Sequence, residues 1–325
     1  MTATARPAAS RPRNFAAPAM PATYEALLRE LALADEHIVV LTAENRAAIR
    51  GLPAALGGRF VDVGIAEQTM IAMGAGLALR GRIPVMHALA AFLTMRAFEF
   101  IRTDLGVARL PGKLVGGVAG VLSEANGPTH QAVEDVALMR TVPHMTVFCP
   151  ADSRELLGAL PVLLAHPDPA YIRYIDRPPR TAYAPPFELG RAHVVAHGRD
   201  VALLTYGAML RECLDAAVVL EAAGLSVHLV DVRTLSPFDD QAFLAAAACT
   251  QLLVTVEDHI ATGGLASIAA ERLAFHGADA RLFPIHLAPG GFTPALLPDV
   301  LRSSALTGEQ IAARVFDALA RFRLD

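Results

Sequence analysis

From Tyr24 onward the chain alternates short β-branched apolar runs with longer stretches of helical spacing. "HIVVLT" (37–42), "RFVDVG" (59–64), "RIPVMH" (82–87), "KLVGGVAG" (113–120), "MTVFCP" (145–150) and "AYIRYI" (170–175) read as strands. Between them, 65–80, 91–105, 129–140 and 152–165 carry the 3.6-residue period of helices. After "DRPPRTAYAPPFELG" (176–190), with its two proline pairs, the alternation resumes. Strands are expected at 201–206, 226–232 and 252–258, with helices over 208–223, 238–248 and 264–275. Strands alternating with helices of this length predict two consecutive three-layer α/β/α domains with mainly parallel sheets, whose sites sit at the carboxyl ends of the strands. The expected boundaries are 23–178 for the first domain, 179–190 for a linker and 191–325 for the second.

One run is anomalous. "DVGIAEQTMIAMGAGLAL" (62–79) is nearly all small and apolar but places the carboxylate of Glu67 in the first turn of its helix. A first-turn acid is favoured by the helix dipole, by about 0.3–1 kcal/mol. Ile, Ala, Met and Gly around it nevertheless mark a buried face. A carboxylate there is expected to have its pKa raised, as a proton donor or acceptor near neutrality requires. Two further stretches carry candidate chemistry. In "MHALAAFLTMRAFEFIRTD" (86–104), Phe98 and Phe100 read as packing, whereas Phe92 lies near the end of a strand where a ring can line a site. In "SEANGPTHQAVED" (123–135), Thr129 is the expected N-cap of a helix with His130 just inside it, an arrangement suited to an anion or a carbonyl.

Composition narrows the classes. The 325 residues are 54% hydrophobic and only 18% charged, which points to apolar surface covered by another chain. Net charge is −4 with a single lysine, Lys113, and no basic block, so nucleic acid is not an expected partner. No apolar run reaches the roughly 18 residues of a membrane span. Cys149, Cys213 and Cys249 are odd in number and form neither a disulfide framework nor a zinc spacing, which suits the cytoplasm. Residues 1–22 hold three arginines and no acid. Lacking an apolar core, they read as a disordered tail, with an organellar transit peptide as the alternative.

Taken in order, "GIAEQ", a Phe-bearing strand–helix turn, "GPTHQAVEDVALMR", "VFCPAD", "VDVRTLSPFD" and "VEDHIATGGLAS" resemble the C-terminal half of the transketolase family from about Tyr24 to the end. The resemblance implies a pyrimidine-binding domain followed by a transketolase C-terminal domain. It further implies thiamine diphosphate chemistry, with Glu67 hydrogen-bonding the aminopyrimidine, Phe92 stacking on it and Leu89 standing where the family has a second aromatic. His130 matches a histidine that contacts substrate oxygens. Arg173, with Arg177 as the alternative, matches an arginine that holds a substrate phosphate.

Two departures stand out. The family's acid before GPTH is Asn126 here, and a phosphate-binding histidine falls at Val118, which implies a modified substrate. The family's GDG motif, which binds the diphosphate and Mg²⁺ or Ca²⁺, is missing from this chain. The chain therefore resembles the β-subunit of a split transketolase. Its expected partner is an α-subunit holding the metal and diphosphate, in an α2β2 assembly, with no metal ligands of its own. The implied reaction moves a two-carbon ketol unit from a ketose to an aldehyde. The alternatives are the β-subunit of a 2-oxoacid decarboxylating dehydrogenase or synthase, and a non-catalytic scaffold.

Overall fold

A computed structural model describes residues 22–122, 124–181, 185–288, 290 and 294–323. The expected tail falls outside these residues except for Ala22. Among the described residues, twelve strands form two sheets. They are β1 (Ile38–Thr42), β2 (Phe60–Asp62), β3 (Ile83–Leu89), β4 (Lys113–Gly117), β5 (Thr146–Phe148), β6 (Ala170–Arg173), β7 (His193–Ala196), β8 (Val201–Thr205), β9 (Val227–Asp231), β10 (Thr234–Ser236), β11 (Leu252–Ile260) and β12 (Leu282–Leu287). The first sheet runs β10-β5-β6-β4-β3-β1-β2 and the second β12-β11-β8-β9-β7. All pairings are parallel except those of β10 with β5 and β7 with β9.

The buried strands read as continuous apolar runs because both of their faces are covered. In β1, Val39 and Leu41 face one cluster, with Met70 and Ile71 of the helix Glu67–Leu79. Ile38 and Val40 face another, with Leu28 of Tyr24–Ala34 and Leu160 of Ser153–Ala165. Ala202 and Leu204 of β8 belong to the same cluster as Val39 and Leu41, so one apolar core runs beneath both sheets.

Two differences from the sequence expectation matter. β10 follows the linker in sequence yet completes the edge of the first sheet, so the second half of the chain contributes to the first domain's architecture. The helix expected over 129–140 begins only at Asp135. His130 and Gln131 both donate their N–H to Gly127 O, which holds them in a turn. Ala132 O then accepts from Gly120 N, and Val133 O from Ile260 N, so these two residues are tied outward and cannot join a helix. Thr129 is consequently no N-cap and His130 stands in the turn before the helix. Among the described residues, no helix is long and apolar enough to cross a membrane.

Candidate active site

β1, β3 and β4 end side by side, and the segments leaving them build the site. The turn after β2 needs Gly64, whose φ of 72° is a conformation glycine adopts without penalty. It delivers Glu67 as the first residue of its helix, only 1% exposed. A buried carboxylate needs a partner. Glu67 has one that the sequence did not announce: Arg96 Nη1 donates to its Oε2 at 2.9 Å. Arg96 closes the π-helical segment Phe92–Arg96, a wide turn of the kind that recurs at functional sites. Its guanidinium lies over the Phe92 ring, 4.4 Å from the centroid. Phe92 in turn meets the edge of His130, with centroids 5.1 Å apart. The His130 Nδ1 is 2.8 Å from Thr129 Oγ1, which leaves Nε2 without a protein partner among the described residues.

Glu67, Phe92 and His130 are thus brought together, with Arg96 between the first two. Leu89 stands at the end of β3, half-buried and in register with Gly117 of β4. Asn126 is exposed in the turn that carries His130. Val118 is half-buried directly after β4 with φ of 50°, a left-handed conformation rare for a β-branched residue and a local strain in the loop.

Arg173 is placed elsewhere. It is 5% exposed and its donors are taken. Nε and Nη2 bond Asp135 at 2.8 and 3.1 Å, and Nη1 bonds Asp258 of β11 at 2.7 Å. Tyr171 adds its hydroxyl to Asp135 at 2.6 Å. Burial alone would lower the Arg173 pKa, but the two carboxylates outweigh it and hold it well above its ordinary value. Burial raises the Asp258 carboxyl against the pull of Arg173. This side chain rivets the two sheets together and presents no free face to a substrate. Arg177, just past the strand end, is half-buried and makes no ion pair among the described residues. Also among these residues, no group of three His, Cys, Asp or Glu is arranged to hold a metal.

The outer face of the helix Glu67–Leu79 is mostly apolar where it meets solvent, with Thr69 as its exposed polar side chain. Ile65 is 71% exposed, Leu79 61% and Met73 39%, with Ala72 and Gly76 open between them and Met95 alongside at 43%. A helix with so much apolar surface is ordinarily covered on every side. Here one side stands uncovered beside Glu67.

A buried acid linked through Arg96 to an aromatic ring thus lies at the strand ends of a two-sheet α/β chain. Residues 16–178 match the transketolase pyrimidine binding domain and residues 190–318 the transketolase C-terminal domain. The chain belongs to the transketolase family. It is 41% identical over 255 residues to a 6-deoxy-6-sulfo-D-fructose transketolase subunit of Clostridium sp. (strain MSTE9), covering 77% of this chain and 79% of that one. It is 31% identical to an apulose-4-phosphate transketolase subunit of Phocaeicola vulgatus, covering 79% and 84%. Among solved structures, a split gene transketolase described as an inactive β4 tetramer superposes with a TM-score of 0.81 at 33% identity, covering 91% of this chain and 97% of that one.

Proposed function

We propose that this chain is the pyrimidine-binding subunit of a thiamine-diphosphate-dependent transketolase that moves a two-carbon ketol unit from a ketose to an aldehyde. The observation that carries the reading is the buried Glu67 carboxylate joined to the Phe92 ring through Arg96. The donor set fits an aminopyrimidine, because a planar nitrogen donor, the Arg96 guanidinium, already satisfies both groups at once. Glu67 would share a proton with a ring nitrogen, Phe92 would stack beneath the ring and Leu89 would wall it. The cofactor, when bound, supplies a nucleophilic carbon and an electron sink. His130 Nε2 would hold a proton against the substrate oxygens, and Asn126 would read a hydroxyl. The diphosphate and its Mg²⁺ or Ca²⁺ would be held by an α-subunit, seated on the apolar face around Ile65 and Met73, in an α2β2 assembly.

For the substrate anion, Arg177 is a better candidate than Arg173, whose donors are spent on Asp135 and Asp258. With Val118 in place of a cation, the site suits a sulfonate, which carries one charge, better than a phosphate, which carries nearly two. The relative named for 6-deoxy-6-sulfo-D-fructose supports the same preference.

The test is reconstitution with the α-subunit, followed by ketol transfer from 6-deoxy-6-sulfo-D-fructose and from fructose 6-phosphate. Turnover is expected only in the mixture, faster with the sulfonate, and reduced at least about 100-fold by Glu67→Gln. A strong preference for the phosphate would overturn the substrate assignment. Full activity of Glu67→Gln would overturn the mechanism.

A further inference from the structure

Arg96 engages both features that the proposed cofactor ring would use. Its Nη1 hydrogen-bonds the Glu67 carboxylate at 2.9 Å, and its guanidinium carbon sits 4.4 Å above the Phe92 centroid. A guanidinium is flat, cationic and edged with N–H donors, and an aminopyrimidine whose ring nitrogen shares a proton with the acid offers carboxylate and ring much the same flat face and N–H edge. Phe92 and Arg96 stand four residues apart in a helical segment, which puts both side chains on one face and lets the arginine lie over the ring. The Arg96 side chain is 40% exposed while Glu67 is 2% exposed, so the arginine can swing into solvent while the acid stays fixed.

Resting on the reading of Glu67 and Phe92 as the pyrimidine site, we infer that Arg96 is an internal placeholder. In the separate subunit it neutralises the buried carboxylate and covers the ring, and the cofactor must displace it. The arrangement keeps Glu67 paired before assembly, when an empty pocket would leave a buried charge without a partner. It also makes the free subunit a poor ligand trap, since any flat amine must compete with a tethered guanidinium.

The test is equilibrium binding of thiamine, which lacks the diphosphate, to the full chain by calorimetry. Arg96→Leu is expected to bind thiamine at least about tenfold more tightly than wild type, a gain of about 1.4 kcal/mol. Arg96→Lys should fall between them, because an ammonium pairs with the carboxylate but covers a ring poorly. Adding Glu67→Gln to Arg96→Leu should abolish the gain, and it guards against misfolding because the double variant buries no unpaired charge. Equal or weaker binding by Arg96→Leu would overturn the placeholder and make Arg96 a group that orients Glu67 for the ring. If no form of the chain binds thiamine while the chain with its α-subunit binds thiamine diphosphate, the placeholder falls and the cofactor reading stands. If that mixture also fails to bind, both fall.

Discussion

His87 lies in β3 at 2% exposure, with its Nε2 2.8 Å from the Tyr24 hydroxyl. Burial pushes its pKa down to about 4. The unfolded chain, with a histidine near 6.5, binds the proton first, so stability rises with pH between about 4 and 6.5 and is fully present above that window. The contribution lost on acidification is up to about 3 kcal/mol. Denaturant titrations across pH 4–7 should show this loss, and His87→Gln should flatten that part of the curve. Gly120 is a second sensitive residue. At φ of 61°, a Cβ there would run into the Asp258 carboxylate and the Arg173 guanidinium. Gly120→Ala should therefore cost more than about 1 kcal/mol, read as a lowered Tm. Glu67 is legible in the sequence because a single acid in an apolar run is conspicuous. Arg96 is legible only in part: its spacing from Phe92 puts the two on one helical face, but nothing in the sequence announces its pairing with Glu67, 29 residues away.

Among the elements, those with both faces buried are the easiest to read. β1 and β8 are apolar runs with no competing period, and β11 opens as one before ending on the buried polar residues Glu257, Asp258 and His259. β12 escapes the pattern because Pro284 interrupts it, and the strand tolerates proline as the edge of its sheet. The turn before Asp135 departs from its helical spacing for a tertiary reason: Ala132 and Val133 bond distant chain segments in place of a helix. Arg173 departs from expectation in the same way, because its place in a strand-end motif gives no hint of Asp258, 85 residues away. Removing it should separate the structural from the substrate role. Arg173→Ala leaves two buried carboxylates without their cation and is expected to cost about 3–5 kcal/mol in equilibrium unfolding. Arg177→Ala should instead leave Tm nearly unchanged and raise KM for an anionic ketose. Comparable unfolding by both variants would count against the division.

At the scale of the whole molecule, the exposed apolar strip of Ile65, Ala72, Met73 and Gly76 borders the buried acid, so the surface that wants covering and the site that wants completing are neighbours. Met73→Asp is expected to leave the fold of the separate chain intact, since the side chain is 39% exposed, yet to block association with the α-subunit. Sedimentation of the mixture measures it, and undiminished assembly would move the docking face elsewhere. The borrowed strand β10 also bears on how the chain is made. On the ribosome, β5 emerges more than eighty residues before its edge partner. At ordinary synthesis rates of ~5–20 residues per second, the rim of the first sheet waits on the order of ten seconds for its cover. During that interval it is an open template for another strand, so crowding of nascent chains, or a pause in translation between residues 150 and 234, should favour aggregation over folding.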